Sequence, residues 1–318
     1  MTLSDRSFLV TGGAGFIGSH LVERLLAERA SVRVIDDFST GKRENLAPFL
    51  DRIDLHEATI IDPDACAAAC ADIDYVFHQA ALSSVARSVE DPTSSHHVCA
   101  SGTLNMLVAA HAAGVRRLVY AGSSSAYGNT ATLPKIETMS SIPLSPYAVA
   151  KLAGEHYVQV FPGLFGLETA VLRYFNVFGP RQDPASIYSA VIPLFITAAL
   201  EGRAPTINGD GGQTRDFTYI DNVVQANLLA ATAPPEGVSG EVFNVGCGGR
   251  ISVTGLWDAI QEALGVRIDP TFGPGRPGDV RDSLADLTKI HERLGYEAKV
   301  SLTEGLRLTA DWLKLESK

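Results

Sequence analysis

Short apolar runs alternate with amphipathic stretches through the first half of the 318-residue chain. The runs at 7–10, 31–37, 53–60, 73–81 and 116–125 predict strands, and the segments between them follow a helical period. Strands that alternate regularly with helices, with cores rich in Val, Ile and Leu, are typical of a doubly wound parallel sheet. The pattern therefore predicts an α/β fold.

The alternation weakens after the strand predicted at 168–179, and the chain becomes richer in Gly and Pro. We predict a Rossmann domain over residues 1–175, to which a later segment at about 217–247 returns. Within that segment EVFNVG is expected to add a strand to the main sheet. The remainder, mainly 176–318, predicts a smaller mixed α/β domain that binds substrate. No low-complexity linker separates the two, so they are expected to share one cleft.

Capping residues mark the predicted helix starts. Ser145 is followed by a proline, a pairing typical of a helix N-terminus. Asp221 and Ser252 are expected to cap two later helices, and Ser301 to form a capping box with Glu304. One long helix is expected from about 92 to 113.

Three glycines stand between the first predicted strand and the first helix. Gly12, Gly15 and Gly18 give the spacing Gly-x-x-Gly-x-x-Gly. Glycine there permits a tight turn, close approach of a pyrophosphate to the backbone, and packing of helix on strand. The second strand ends in Asp36, about 20 residues further on, where an acidic residue binds the adenosine ribose. The stretch predicts a dinucleotide site.

The carboxylate of Asp36 favours NAD over NADP, because it would repel a 2′-phosphate. Arg33 and Lys42 lie nearby in the sequence and leave the NADP alternative open.

The helix that begins after Ser145 carries Tyr147 and Lys151 one turn apart on one face. Taken alone, the pair is equally consistent with a solvated surface pair. The residues of this helix alone do not decide between that reading and a functional pair, and the rest of the chain is needed to distinguish them.

Composition limits the remaining possibilities. The net charge of -10 and pI of about 5.3 argue against a nucleic-acid partner. An anionic substrate must therefore be held by local positive groups. The chain has no recognisable signal segment and no apolar run of membrane-spanning length, so we expect a cytoplasmic protein without membrane association.

Cysteines and histidines predict no metal site. Cys66 and Cys70 lie one turn apart in a predicted helix, and the other two cysteines are isolated. His96 and His97 are expected to be exposed, and His78 to be a packed structural residue.

Five motifs in order carry a family resemblance over nearly the whole chain. They are TGGAGFIGSH, HQAA, SSSAYG, SPYAVAK and LRYFNVFGPR. Together they resemble the extended short-chain dehydrogenase/reductase family, and within it the bacterial UDP-sugar 4-epimerases, in particular the branch acting on UDP-N-acetylglucosamine. The resemblance implies a homodimer formed through helices near 92–113 and 145–161.

The resemblance implies that Tyr147 removes the proton of the sugar C4 hydroxyl while NAD takes the C4 hydride. Lys151 and the cationic nicotinamide would lower the pKa of Tyr147. Ser123 is the expected bridging hydroxyl, and Ser124 is expected to line the sugar pocket. Dehydratases and decarboxylases of the family place an acid just after this hydroxyl, whereas Ser and Ala stand here.

The resemblance also implies two residue sets. The cofactor set comprises Gly12, Gly15, Phe16, Ile17, Gly18, Asp36, Asp37, Thr40, Gly41, Ile60, Ala80, Ala81, Tyr147, Lys151 and Tyr174. The substrate set comprises Ser83, Ser124, Asn176, Gln182, Ala190, Val191, Thr206, Asn208, Arg215, Arg276, Asp279 and Ser283.

Ser283 is expected to select the sugar, since family members restricted to UDP-glucose and UDP-galactose tend to carry a tyrosine there. A small residue leaves room for a 2-acetamido group. Ser83 and Gln182 also match the acetamido branch. Two departures, Thr59 after Ala58 and Cys99 in place of an asparagine, are expected to loosen NAD binding.

Two other activities stay open at this point. A UDP-hexuronate 4-epimerase would differ in what meets the sugar C6. A sugar-nucleotide dehydrogenase or reductase would share the cofactor residues and show net redox chemistry.

Overall fold

A computed structural model describes residues 3–183, 191–275 and 280–316. Within these ranges a seven-stranded sheet forms the centre, with its strands in the order Glu241–Val245, Glu168–Tyr174, Arg117–Ser123, Tyr75–His78, Ser7–Thr11, Ser31–Asp36 and Asp54–Glu57. Neighbouring strands of this sheet are all parallel. The predicted α/β fold with a doubly wound parallel sheet is confirmed.

The described strands are β1 (Ser7–Thr11), β2 (Ser31–Asp36), β3 (Asp54–Glu57), β4 (Tyr75–His78), β5 (Arg117–Ser123), β6 (Glu168–Tyr174), β7 (Val177–Phe178), β8 (Thr206–Asn208), β9 (Thr214–Arg215), β10 (Thr218–Tyr219), β11 (Glu241–Val245), β12 (Ile251–Ser252) and β13 (Thr271–Gly273).

The described helices are α1 (Phe16–Ala27), α2 (Pro63–Cys70), α3 (Val85–Glu90), α4 (Pro92–His96), α5 (Gly102–Ala112), α6 (Pro146–Phe165), α7 (Val191–Leu200), α8 (Ile220–Thr232), α9 (Val253–Leu264), α10 (Thr288–Leu294) and α11 (Leu302–Glu316). None of them is both long enough and apolar enough to cross a membrane.

Both faces of the sheet are covered. Leu9, Val76 and Leu118 pack towards α2, α5 and α6 on one face. Val10 and Phe77 belong to a larger apolar cluster on the other face, which continues through α1 and α8 into α7, α9 and α11. Alternate residues of a strand point to opposite faces, so this division follows from strand geometry. The larger cluster joins the sheet to the C-terminal part, so the two predicted domains pack against one core.

The later segment returns to the sheet as predicted. β11 pairs in parallel with β6, from Glu241 opposite Ala170 to Val245 opposite Tyr174. α8 packs on β5 and β6. The C-terminal part adds three two-stranded sheets, β10-β7, β12-β9 and β13-β8. The boundary near residue 175 itself stays a prediction.

Two local predictions were wrong in detail. The helix expected over 92–113 is interrupted by a π-helical turn at His97–Ser101. Hydrophobic periodicity cannot show such a turn, because it adds only one residue to a helical turn. Asp221 does not cap α8, which begins at Ile220 and has Tyr219 at its N-cap position. Tyr219 ends β10, whose pairing with β7 sets where the helix starts.

The caps predicted at Ser145 and Ser252 are confirmed, whereas the capping box predicted at Ser301 is formed only in half, because the Glu304 carboxylate pairs with Arg307. Ser145 accepts a hydrogen bond from Ala148 N–H at 3.2 Å, and Ser252 accepts one from Gly255 N–H at 3.0 Å. Ser301 accepts one from Glu304 N–H at 3.3 Å.

Candidate functional site

A long cleft, the main cleft, lies at the carboxyl ends of the parallel strands, where ligands bind in such sheets. The turn between β1 and α1 forms part of its wall. Gly12 has φ +66°, and a Cβ there would lie 2.8 Å from the backbone nitrogen of Ala80. A Cβ on Gly18 would overlap the carbonyl oxygen of Gly12. Both positions therefore require glycine, which brings the backbone to the cleft surface.

Asp36 ends β2 at the edge of the main cleft. Its carboxylate accepts hydrogen bonds from the backbone N–H groups of Ala14 and Phe38, each at 2.8 Å. Each carboxylate oxygen keeps further acceptor capacity for a ribose hydroxyl. Burial raises the pKa of this carboxyl. The two backbone bonds fix its orientation.

The nearby cations are paired with acidic groups. Arg33 contacts Asp54 at 2.6 Å and also reaches carbonyl groups at the end of α2. Lys42 pairs with Asp183 at 3.1 Å. These contacts argue against a dedicated 2′-phosphate site and agree with the predicted preference for NAD.

Tyr147 and Lys151 lie in the first turns of α6 and face the main cleft. Tyr147 is half-buried, and Lys151 is only 4% exposed. Ser123, the last residue of β5, hydrogen-bonds Tyr147 through its hydroxyl and also contacts the Ser125 hydroxyl at 2.7 Å. The structure thus places Ser123 beside Tyr147, with Lys151 one turn further along α6 and lining the same cleft.

Burial shifts both titrating groups. It raises the pKa of Tyr147 above its ordinary value, and the Ser123 hydrogen bond opposes this only in part. Burial lowers the pKa of Lys151 to about 8. The sequence-based expectation of a lowered tyrosine pKa is therefore not met by the protein groups alone. A phenolate here needs additional positive charge, which an oxidised nicotinamide would supply.

All fifteen residues of the predicted cofactor set line the main cleft, as does Ser83 from the substrate set. Sequence reasoning missed several further lining residues, among them Ser39, Lys42, Asn45, Gln79, Leu82, Val98, Arg181 and Asp183. Gln79 carried a signal, because it belongs to the HQAA motif at the end of β4. It donates to the hydroxyl of Tyr174 at 3.2 Å, and Asn227 of α8 donates to the same hydroxyl at 2.8 Å.

A second cavity, the side pocket, opens between β8, α7 and the segment after β6. It is lined by the predicted residues Asn176, Val191, Thr206, Asn208 and Arg215, together with Val177, Phe178, Ile192, Phe195, Ile207, Gln213, Phe217 and Val253. Its mix of aromatic and aliphatic walls with a few polar groups is typical of a small-molecule site.

Ser283 is buried and is not among the residues that line this pocket, but it contacts Asn176, which is. Its hydroxyl accepts a hydrogen bond from the Asn176 side-chain amide at 3.2 Å. Gln182 donates to the Val177 carbonyl at 3.1 Å, and Ser124 begins the short helix after β5. Ala190, Arg276 and Asp279 lie outside the described residues.

A buried carboxylate that sequence reasoning missed organises this region. Asp216 is 0% exposed and accepts hydrogen bonds from the backbone N–H groups of Cys247, Gly248 and Ala285 at 2.9 to 3.1 Å. Its own carbonyl accepts from the Asn176 side chain at 2.9 Å. Asp216 thus ties the loop after β11 to the segment that carries Ser283.

The two departures from the family pattern differ in their exposure to the main cleft. Ala58 and Thr59 line the main cleft. Cys99 is fully buried and packs with Ala150 and Tyr147. His78 is buried between Thr11 at 2.7 Å and Thr103 at 3.0 Å, as expected of a structural residue.

The family model described as NAD dependent epimerase/dehydratase family matches residues 8–246. The chain belongs to this family. The predicted family, an enzymatic function and NAD as cofactor are thereby confirmed. The glycines at the main cleft, Asp36 and the paired state of Lys42 fit such a cofactor, which these residues would hold by its pyrophosphate and ribose.

Similar proteins are found among curated sequences and solved structures. The family member from Mycolicibacterium smegmatis named UDP-glucose 4-epimerase is 41% identical and covers 98% of this chain and 99% of its own. The crystal structure of UDP-glucose 4-epimerase with UDP-glucose from Thermotoga maritima has a TM-score of 0.93 at 40% identity, over 98% of this chain and 100% of that one. A UDP-N-acetylglucosamine 4-epimerase from Methanobrevibacter ruminantium, in complex with UDP-N-acetylmuramic acid, has a TM-score of 0.93 at 37% identity, over 98% and 99%.

Proposed function

We propose that this family member reversibly inverts C4 of a UDP-hexose, with UDP-N-acetylglucosamine and UDP-N-acetylgalactosamine as its principal pair. The observation that supports the proposal is that Tyr147 and Lys151 line the main cleft, with Ser123 beside Tyr147. The 4-epimerases among its relatives support the reaction class.

In this proposal side chains of the protein accept and return the proton of the sugar C4 hydroxyl. Tyr147 takes the proton of the C4 hydroxyl, while the Ser123 hydroxyl bridges tyrosine and sugar. The charge of Lys151 stabilises the phenolate. One positive charge at about 4 Å and an effective dielectric near 20 contributes about 4 kcal/mol, equivalent to about three pKa units. NAD, held by the glycine turn and Asp36, would supply the acceptor and donor for the C4 hydride, so that the hydride could return to the opposite face of the 4-keto sugar.

Burial raises the pKa of Tyr147 above that of a free tyrosine. The positive charge needed to stabilise the phenolate near neutral pH is therefore larger than for an exposed tyrosine. Lys151 and the oxidised nicotinamide must therefore act together. This predicts that Tyr147 is a competent base only in the loaded enzyme.

The choice of sugar rests on Ser283. It is a small residue, buried beside Asn176, and we infer that a tyrosine there would occupy volume that the 2-acetamido group needs. Arg215 lines the side pocket and is a candidate donor for the diphosphate, since guanidinium groups pair well with phosphate. We place the nucleotide in the side pocket and the sugar between that pocket and Tyr147.

The test is NMR of the purified holoenzyme with UDP-glucose, UDP-N-acetylglucosamine and UDP-glucuronate in parallel. The proposal predicts the C4 epimer of UDP-N-acetylglucosamine at the highest rate, with UDP-glucose turned over more slowly. Since UDP-glucuronate 4-epimerases occur among the relatives, formation of only the glucuronate epimer would select that alternative instead. Net accumulation of NADH would select a dehydrogenase.

We also propose a homodimer through α5 and α6. The face of α6 opposite Lys151 exposes Val149, Val160 and Leu164, the last at 73% exposure. Val108 of α5, which packs beside α6, is 55% exposed. A contiguous apolar face of this kind is typical of a protein interface.

Light scattering of the wild type and of Leu164→Glu tests this proposal. We expect a dimer that the substitution converts to monomer, whereas Leu315→Glu, at another exposed apolar residue, leaves it intact. A monomeric wild type would refute the proposal.

A further inference from the structure

The aromatic ring of Tyr120 lies against the side chain of Lys151. The Lys151 Nζ is 4.1 Å from the centroid of the ring. The Tyr120 hydroxyl donates a hydrogen bond to the Lys151 carbonyl at 3.0 Å. Tyr120 is fully buried in β5, three residues before Ser123. The contact therefore joins the strand that presents Ser123 to the helix that presents Tyr147 and Lys151.

The surroundings of the Tyr120 hydroxyl hold the ring in place. A Cβ on Gly154 would lie 2.6 Å from this hydroxyl and 2.9 Å from the Cys99 carbonyl oxygen. Cys99 belongs to the π-helical turn at His97–Ser101, a conformation often found near functional sites. The glycine and the turn allow α6 to approach the ring closely, so the position of the ring determines where Lys151 lies.

The ring holds the ammonium group without neutralising it. Within the ranges that the structure describes, no carboxylate forms an ion pair with Lys151. Glu155, one turn further along α6, pairs with Arg173 at 2.5 and 3.0 Å, while the Cys99 thiol of the π-helical turn and the Glu155 charge both still favour the charged form of Lys151. An aromatic face attracts a cation through its quadrupole and carries no net charge. The charge of Lys151 thus remains available to the main cleft.

We propose that Tyr120 is a positioning residue for Lys151. The aromatic face of Tyr120 keeps the Lys151 ammonium group charged and directed into the main cleft. The proposal rests on the role assigned to Lys151 in C4 epimerisation. Burial brings the pKa of Lys151 down to about 8, so its charge is lost as the pH rises through that value. Removal of the ring takes away a contact that favours the charged form. The alkaline limb of the rate profile should then move to lower pH.

The test compares Tyr120→Phe with Tyr120→Leu in the holoenzyme. Phenylalanine keeps the ring and loses only the hydroxyl, so we expect kcat within about threefold of wild type and an unmoved alkaline limb. Leucine loses the ring, so we expect kcat to fall roughly tenfold and the limb to move about one unit lower, with little change in KM. An equal limb position in both variants would overturn the proposal.

A size-matched series covers the case in which Tyr120→Leu does not fold. Phenylalanine, monofluorophenylalanine and trifluorophenylalanine placed at position 120 differ little in volume, while the ring's attraction for a cation weakens with each step. The alkaline limb should fall progressively along the series. A limb that stays constant, or moves to higher pH, would contradict the proposed role.

A second readout separates this inference from the proposed function. The affinity of each variant for NAD, measured across pH without sugar, should show the same downward movement of the pH at which binding weakens. If the wild type has no epimerase activity, the proposed function fails, yet the NAD titration still tests Tyr120. Identical NAD titrations for wild type and the trifluorophenylalanine variant would overturn the inference even in an active epimerase.

Discussion

Ser283→Tyr should separate the two sugars. The Ser283 side chain is 8% exposed, and its hydroxyl accepts from Asn176 at 3.2 Å. Its backbone N–H donates to the Thr214 carbonyl at 3.1 Å, and Ala285, two residues on, is tied to Asp216 at 3.1 Å. The backbone is thus held on both sides, so we expect a tyrosine ring to extend past Asn176 towards the proposed sugar site.

The expected change in kcat/KM for each sugar in Ser283→Tyr follows from two contributions. Loss of the hydrogen bond with Asn176 costs about 1 kcal/mol and affects both sugars alike. Overlap of the ring with a 2-acetamido group costs a further 1–3 kcal/mol or so, and affects only UDP-N-acetylglucosamine. We therefore expect kcat/KM for that sugar to fall roughly 5- to 150-fold more than kcat/KM for UDP-glucose.

The assay measures kcat/KM for both sugars and the NAD content of each preparation. Ser283→Ala is the matched control, since it removes the hydrogen bond without adding volume and should lower both values by a similar factor. Equal loss of both sugars in Ser283→Tyr, with NAD content unchanged, would refute the assignment of Ser283 as the residue that selects the sugar.

Three further predictions concern the base, the cofactor and stability. Tyr147→Phe should lower kcat about 10²- to 10⁴-fold without loss of bound NAD, measured by progress curves and by cofactor release on denaturation; an active variant would exclude Tyr147 as the base. Gly12→Ala should abolish NAD retention, because Gly12 has a φ of +66° and a Cβ there would lie 2.8 Å from the backbone of Ala80. Gly163→Ala is the control and should retain NAD, because a Cβ at Gly163 meets nothing within 4 Å. Burial raises the pKa of Asp216 from 3.8 to about 6, so the stability that this group contributes is present below pH 3.8 and is lost as the pH rises through 6. In Asp216→Asn the free energy of unfolding should therefore change by about 3 kcal/mol less between these pH values than in wild type, measured by urea titration; the same pH dependence in both would contradict the assigned pKa.

The main cleft could be predicted from sequence because its chemistry is local. Gly12 and Gly18 stand in one turn between strand and helix, and Asp36 ends the adjacent strand. Parallel strands bring their carboxyl ends to one edge, so these positions meet whatever the rest of the chain does. The capped helix predicted that Tyr147 and Lys151 share one face, whereas their catalytic roles came from the family resemblance.

The parts of the site that the sequence did not predict depend on contacts between segments far apart in the chain. Asp216 is an ordinary polar residue in the sequence and becomes the link between three segments only through backbone N–H groups at Cys247, Gly248 and Ala285. The aromatic ring against Lys151 is likewise supplied by Tyr120, a residue whose place in a strand predicts only that it is buried. The raised pKa of Tyr147 reflects burial, which no spacing records.

The most direct test of hydride chemistry at C4 uses UDP-N-acetylglucosamine that carries deuterium at C4. The purified holoenzyme is incubated with it in ordinary water, and the product is examined by NMR and mass spectrometry. Removal and return of the same hydride within the cleft predicts UDP-N-acetylgalactosamine with full deuterium at C4 and no net NADH. Loss of deuterium to solvent, or inversion without any dependence on bound NAD, would contradict the account.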